Sequence, residues 1–327
     1  MEKMCRTFLL AAAGLALAAG SVAALAQSFP GKPLRWLVGL PAGSGVDFVT
    51  RVVAEPMAKS LGQPIVVENR PGASSAIAAG LVAGSPPDGY TLVSLTANSY
   101  AMNPHLFSKL AYNSRRDFRM VGMMVDIPFV MFIPAALSVN TVAEFVNWVK
   151  SQPSGKVNFA SSGLGSLHQM NMEMFARKAN LQMTHVPYKG SPPAFVDLIS
   201  GQVSAFMVGP NDGMPLVKAG KVKILATATP RRLEILPDVP TLTELGYETG
   251  YSAWLGVATV AGSPPAAIER LNQALNEAMR LPELSRRLTD LGFVVAERGT
   301  SKQVEDFARS EYDKWGTILH SFNIKLD

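Results

Sequence analysis

Two stretches of this chain, about 120 residues apart, follow one grammar: a short apolar run, a loop of Gly and Ser, then a helical pattern. In the first, residues 34–40 lead into Pro41-Ala42-Gly43-Ser44-Gly45. Val49, Val52, Val53 and Leu61 then recur on one side of a helix, with Gly62 as its stop. In the second, residues 157–160 lead into Ser161-Ser162-Gly163-Leu164-Gly165-Ser166, and residues 168–179 read as a helix. A strand that turns directly into a helix puts the helix N-terminus at the strand's carboxyl end. In open α/β sheets that edge is where ligands bind. That spacing predicts two α/β domains, each offering one helix N-terminus, and 327 residues suit two domains better than one.

The rest of the chain continues the alternation. Strands are expected at 65–67, 90–95, 129–133, 183–186, 203–208 and 223–227, and helices at 75–83, 192–200 and 213–219. Thr141 with Glu144, and Thr300 with Gln303, form capping-box pairs at helix starts. Ser263 reads as the cap of a helix that starts at Pro264 and carries Ile268, Leu271, Leu275 and Met279 on one face. The last helix carries Val304, Phe307, Trp315 and Leu319. Pro56 should kink or break the first helix. Strands alternating with helices imply largely parallel sheets.

Composition removes several classes. With 48% hydrophobic and 17% charged residues, the chain is not intrinsically disordered. Thirty Lys and Arg against 25 Asp and Glu give +5, without the basic stripe of a nucleic-acid binder. Lys3 and Arg6, an apolar run over 8–19 and Ala24-Leu25-Ala26 read as a signal peptide over residues 1–26, hence export to the periplasm. A membrane anchor is the competing reading of that run. Cys5, the only cysteine, falls inside the leader, so the mature chain would have neither disulfide nor thiol nucleophile.

Loop one supplies Gly43, Ser44, Gly45 and Asp47. Small residues let a ligand approach the backbone, and unpaired N–H groups of a first helical turn favour an anion. Asp47 reads equally as a ligand contact and as an i,i+4 partner for Arg51. Loop two supplies the hydroxyls of Ser161, Ser162 and Ser166 beside Gly165, with His168 orienting the loop. The histidines at 105, 168, 185 and 320 lack zinc spacing. Gly72-Ala73-Ser74-Ser75-Ala76 ends in Ala where a nucleophile elbow needs Gly.

Taken in order, a set of short motifs resembles the periplasmic receptors of tripartite tricarboxylate transporters, the Bug receptor family. They are Phe29-Pro-Gly-Lys-Pro-Leu-Arg, the segment 41–51, Val67-Glu-Asn-Arg-Pro-Gly-Ala, Pro87-Asp-Gly-Tyr-Thr-Leu, Ser162-Gly-Leu-Gly-Ser-Leu-His, His185-Val-Pro-Tyr-Lys-Gly and Leu236-Pro-Asp-Val-Pro-Thr. The resemblance implies an α/β, two-domain, periplasmic-binding-protein-like fold, a flytrap with a cleft between its domains. Residues 27–126 plus 253–327 would form domain 1, and 127–252 domain 2. It implies a non-enzymatic, monomeric receptor without a cofactor or metal. Its ligand would be a small carboxylated acid: an amino acid, a di- or tricarboxylate, or an aromatic acid. The carboxylate would be held by the backbone and hydroxyl groups of the two loops, with Asn98 and Asp212 added from their places at strand ends. Membrane transporter subunits are the implied partners; a sensor protein, or a secreted serine hydrolase activity, are the alternatives. The chain departs from the family pattern at Ser44 and at Ser74-Ser75, where glycine is usual, and at Gly39-Leu40, where a proline and an aromatic are usual.

Overall fold

The computed structural model of the protein describes residues 29–247, 253–296, 299–322 and 326; the proposed leader lies outside them. Along the chain come β1 (Leu34–Val38), α1 (Gly45–Leu61), β2 (Ile65–Asn69), α2 (Ala76–Ala83) and β3 (Thr91–Thr96). A π-type turn, Asn98–Met102, runs into a short turn, Asn103–Leu106, before β4 (Phe118–Ile127). Then follow β5 (Val130–Pro134), α3 (Val142–Ser151), β6 (Val157–Ser161), α4 (Leu167–Lys178), β7 (Met183–Pro187), α5 (Ser191–Ser200), β8 (Ala205–Val208), α6 (Pro210–Lys218) and β9 (Val222–Thr227). The chain closes with β10 (Ala253–Val260), α7 (Pro265–Ala278), α8 (Pro282–Thr289), β11 (Val294–Val295) and α9 (Ser301–Phe322).

The strands form two sheets, ordered β11-β4-β10-β3-β1-β2 and β7-β6-β8-β5-β9. They are mixed, not largely parallel. β1 runs parallel to β2 and β3, and β6 parallel to β7 and β8. β10 lies antiparallel between β3 and β4, β5 antiparallel between β8 and β9, and β11 antiparallel on β4. The reason is the crossing of the chain. β4 leaves the first sheet at its carboxyl edge and β5 enters the second from that same side, so β5 must run away from it. β10 returns to the first sheet under the same constraint.

Local signals largely decide the helix ends. Gly62 stops α1 in the left-handed region (φ 70°). Thr141 caps α3 by accepting the Glu144 N–H (3.1 Å), and Thr300 and Gln303 exchange bonds at the start of α9 (2.9 and 3.2 Å). Three readings need correction. α1 passes through Pro56 without a break, because Val49, Val53, Met57 and Leu61 bury one continuous face on either side of it. Pro264, not Ser263, is the cap residue of α7; the Ser263 hydroxyl bonds back to Val260 O (2.8 Å). The buried face of α9 takes Ala308 rather than Phe307, which is 40% exposed.

β4 was not legible as a strand. Its centre is Met-rich, and Gly122 interrupts it. That glycine is required because Leu275 of α7 packs where a Cβ would stand, 2.4 Å away. Shifts of register against β10 further blur the period of two.

One apolar cluster lies between the first sheet and α1, α7 and α8, with Trp36, Val49, Met57 and Leu271 fully buried. A larger one is continuous from the α2 and α9 face of the first sheet into the α3 and α4 face of the second, including Trp315, Leu106, Leu167 and Phe175.

After β2 the chain takes an unusual path. Ala73, Ser74 and Ser75 all have positive φ (46°, 51°, 70°). Left-handed backbone disfavours any residue with a Cβ. The Ser75 hydroxyl bonds Gly39 O (3.2 Å), whereas the Ser74 side chain is exposed and unused. Ser74→Gly should therefore raise stability by up to about 1 kcal/mol in urea denaturation; a loss of stability would show that Ser74 makes a contact of its own.

Candidate ligand-binding site between the two sheets

A helix cannot satisfy its own first N–H groups. In α1, Ser44 is the N-cap: its hydroxyl accepts the Asp47 N–H (3.3 Å), and its own N–H goes to Pro41 O (3.2 Å). In α4, Ser166 does the same: it accepts the Gln169 N–H (3.3 Å), and its N–H goes to Gly163 O (3.3 Å). Each helix is thus left with two first-turn amides, Gly45 and Val46 in one, Leu167 and His168 in the other, that the cap does not reach. Both sets lie at the carboxyl ends of their sheets, after β1 and β6.

Loop one is held rigid by Asp47, which is 3% exposed. Its carboxylate accepts from Gly43 N (2.9 Å), Arg51 Nε (2.9 and 3.0 Å) and Asn69 Nδ2 (2.8 Å). Burial alone would raise its pKa, but the donors from Arg51, Gly43 and Asn69 together hold it below the usual carboxylate value. Asn69 also donates to Leu40 O (3.0 Å), which explains physically why an Asn stands before Arg70-Pro71-Gly72. Gly43 adopts φ +81°, and no atom lies within 4 Å of where its Cβ would be, so the loop is open on that side.

Beneath loop one runs a buried relay that sequence reading missed. Trp36 Nε1 donates to Ser94 Oγ (3.0 Å), Ser94 and Thr50 share a bond (2.7 Å), and Thr50 Oγ1 donates to Val46 O (2.7 Å). With Thr50 donating to Val46, the direction is fixed: Trp36 to Ser94 to Thr50 to Val46. Every polar group in it is paired, and it ties β1 and β3 to the first turn of α1.

Loop two uses its own hydroxyls similarly. Ser161 is fully buried; its Oγ donates to Gly163 O (2.9 Å), accepts the Gly163 N–H (3.1 Å) and meets His185 Nε2 (2.6 Å). With the serine proton on Gly163 O, His185 carries its proton on Nε2 and donates. Ser166 Oγ donates to Gly163 O (2.7 Å), and Gly165 N donates to Gln169 Oε1 (2.8 Å). Ser162 Oγ pairs with His168 Nδ1 (2.6 Å), whose ring packs between Phe129 and Phe206 (5.0 and 5.8 Å). Desolvation by burial pushes His168 and His185 down to about 4.

The two sheets meet at these loops. Asn98 Nδ2, after β3, donates to Gly165 O of loop two (3.2 Å). From the other side, Asn211 at the start of α6 reaches loop one, its Nδ2 standing 3.8 Å from the Cβ position of Gly45, and Pro210 packs at Gly292. Asp212 stands beside Asn211 and accepts from it (2.7 Å) and from Ser191 Oγ. Asp212 keeps one side open to solvent, but burial against its surroundings raises its carboxyl pKa. The structure thus brings Gly45, Asn98, Gly165 and the Asn211–Asp212 pair to one junction, and adds Asn69 and Asn211 to the residues expected there. No short motif marks Asn211; only the close approach of the sheets does. The nearby arginines are already paired, Arg51 with Asp47 within loop one and Arg70 with Glu68 (3.0 Å).

The model of the tripartite tricarboxylate transporter family receptor matches residues 49–324. The chain belongs to that family. A protein encoded in the tcbD-tcbE intergenic region of Pseudomonas sp. (strain P51) is 32% identical over 96% of this chain and 94% of its own. MatC from Rhodopseudomonas palustris, solved with bound malate, is similar at 31% identity and a TM-score of 0.78, over 89% of this chain and all of that one. A second R. palustris protein, solved with adipate, has a TM-score of 0.82 at 26% identity, over 91% and 99% of the two chains. The fold is that of periplasmic binding proteins, and the protein is a solute-binding receptor rather than an enzyme.

Two predictions follow from this geometry. Asp47→Ala strands the Gly43 N–H and Asn69, so it should cost about 2 kcal/mol in chemical denaturation without any ligand present. An unchanged midpoint would show that loop one does not depend on the carboxylate. The second concerns pH. A histidine whose folded pKa is lowered binds its proton more readily when unfolded. Stability from His168 and His185 is therefore present above about pH 6.5 and lost as pH falls toward 4, at up to about 1.4 kcal/mol per pH unit for each ring. Asp126, pushed up to about 6 by burial and by Glu311, acts in the opposite sense over that range. The contrast to measure is between the wild type and a His168→Gln, His185→Gln variant, whose melting temperature should fall less on acidification; parallel curves would refute the assignment.

Proposed function

We propose that this protein is a periplasmic receptor that captures a small dicarboxylic acid between its two lobes and presents it to membrane transporter subunits. The observation that carries this reading is the pair of serine-capped helix starts, one from each sheet, with the junction residues Asn98 and Gly165 bonded between them (3.2 Å). A carboxylate accepts hydrogen bonds only, and first-turn amides are donors aligned with a helix dipole. The amides of Gly45, Val46, Leu167 and His168 are the donors proposed to reach it, together with the second Asn98 Nδ2 hydrogen, the first being given to Gly165 O, and the Ser162 hydroxyl proton, left over when His168 Nδ1 donates to that oxygen. Asp47, Ser161 and Ser166 shape the loops, since their polar atoms are already engaged. Gly43 leaves the approach open. Asp212 and Asn211 face the ligand's other end, where the acceptor on Asp212 favours a hydroxyl or a protonated group.

Family membership and the malate- and adipate-bound neighbours support the ligand class. The leader read over residues 1–26 supports export, and the two crossings between the sheets, from β4 to β5 and from β9 to β10, support domains of 27–126 plus 253–327 and of 127–252. No helix among the described residues is long and apolar enough to cross a membrane. A stand-alone sensor is the competing use of the same cleft, and an interaction assay with co-encoded membrane subunits separates the two.

Calorimetry with a panel of mono-, di- and tricarboxylates should show at least one dicarboxylate binding at micromolar strength or better, about −8 kcal/mol. Gly43→Val, which places a branched side chain in the open approach and strains a positive-φ position, should reduce that affinity at least a hundredfold. Undiminished binding in that variant would put the ligand elsewhere.

A further inference from the structure

The last helix does more than cover the first sheet. Most of α9 is fixed there: Glu305 Oε2 accepts the Met120 N–H (3.0 Å), Arg309 Nη2 donates to Arg115 O (3.1 Å), and the His105 ring lies tilted against the Tyr312 ring (centroids 4.4 Å apart). His105 lies so close to Gly316 that a Cβ there would meet its ring at 2.7 Å. Yet the end of α9 lies on the second lobe. The Arg177 guanidinium, at the end of α4, sits over the Phe322 ring (3.7 Å) and reaches Ser321 O (3.5 Å).

Four residues beyond α9, Leu326 returns to the junction. Its N–H donates to Leu106 O of the first lobe (2.9 Å), and its side chain joins the apolar cluster shared by both lobes. The Leu326 and Leu106 methyls stand 2.8 and 2.9 Å from the Cβ position of Gly165, in loop two. Only glycine fits there, for space and for its φ of +68°. Gly165 is therefore gripped by Leu326, by Leu106 and, at its carbonyl, by Asn98.

We propose that Leu326 and the Arg177–Phe322 contact are positioning residues for ligand capture, a clamp through which α9 holds loop two against the first lobe. This rests on the cleft being the ligand site. Contacts made between lobes exist only while the lobes are together, so they raise the fraction of molecules competent to hold a ligand, and apparent affinity scales with that fraction. None of these side chains needs to touch the ligand. The clamp differs from the loop hydroxyls in that its loss changes how far the lobes stand apart before any ligand arrives.

The test uses the full mature chain with one spectroscopic label on each lobe, and the tightest-binding acid from a panel containing malate and adipate as the probe. Leu326→Ala should lengthen the mean distance between lobes without ligand and weaken binding about tenfold, mainly through faster dissociation. Leu326→Met should restore both. Phe322→Ala should act in the same direction, and serves as the second variant if the first is poorly folded. If Leu326→Ala and Phe322→Ala leave the lobe distance and the dissociation rate as in the wild type, the clamp is refuted. If the wild type binds no acid in the panel, the carboxylate reading fails instead, and the lobe distance in the unliganded variants still decides the clamp.

Discussion

A helix start carries amides that nothing inside the helix can satisfy, and this chain puts two such starts at the meeting edge of its two sheets. Ser44 and Ser166 each satisfy the third-residue N–H of their helices, and stop there. The remaining donors are a fixed partial positive charge that requires no cationic side chain. The rest of the junction is built so that these donors keep their direction. Asp47 draws Gly43, Arg51 and Asn69 together, the Trp36–Ser94–Thr50 relay fastens the first turn of α1 to the sheet, and Ser161 closes loop two on itself. Rigid supporting groups of this kind let a site bind without reorganising.

The second constraint is topological. A chain that must leave one sheet, build another and return does so at the edge where the sheets face each other. That forces β5 and β10 to run against their neighbours, and makes the sheets mixed. The crossings bring the carboxyl ends of β3 and β6 within bonding distance of each other, as the Asn98–Gly165 bond records. The apolar cluster runs on from one lobe to the other, and Leu326 packs against it beside Gly165.

Much of this was legible because it is local. Gly62, Thr141 and Thr300 act within one turn of their own position, so the residues alone indicate where those helices stop or start. Ser44 and Gly43 were readable for the same reason. What failed was whatever depends on residues far apart. Asp47 could be weighed only as an even choice, until Asn69, 22 positions on, was seen to share its carboxylate. Ser94 sits 58 positions from Trp36, and nothing near either announces the relay. β4 hid because its glycine answers to α7, and Pro56 misled because the packed face of α1 outweighs one missing backbone bond.

The sequence by itself determined the α/β grammar, the two Gly/Ser loops, and the family, since each is written in contiguous residues whose chemistry is local. Only the tertiary structure decided which polar groups remain available to a ligand and which are consumed in holding the loops. It also decided that the sheets are mixed and that Asn98, Asn211 and Leu326 arrive at the same junction. Those outcomes depend on how distant segments pack. Hydrogen-bond partners and close approaches are set by the folded geometry, and no spacing along the chain encodes them.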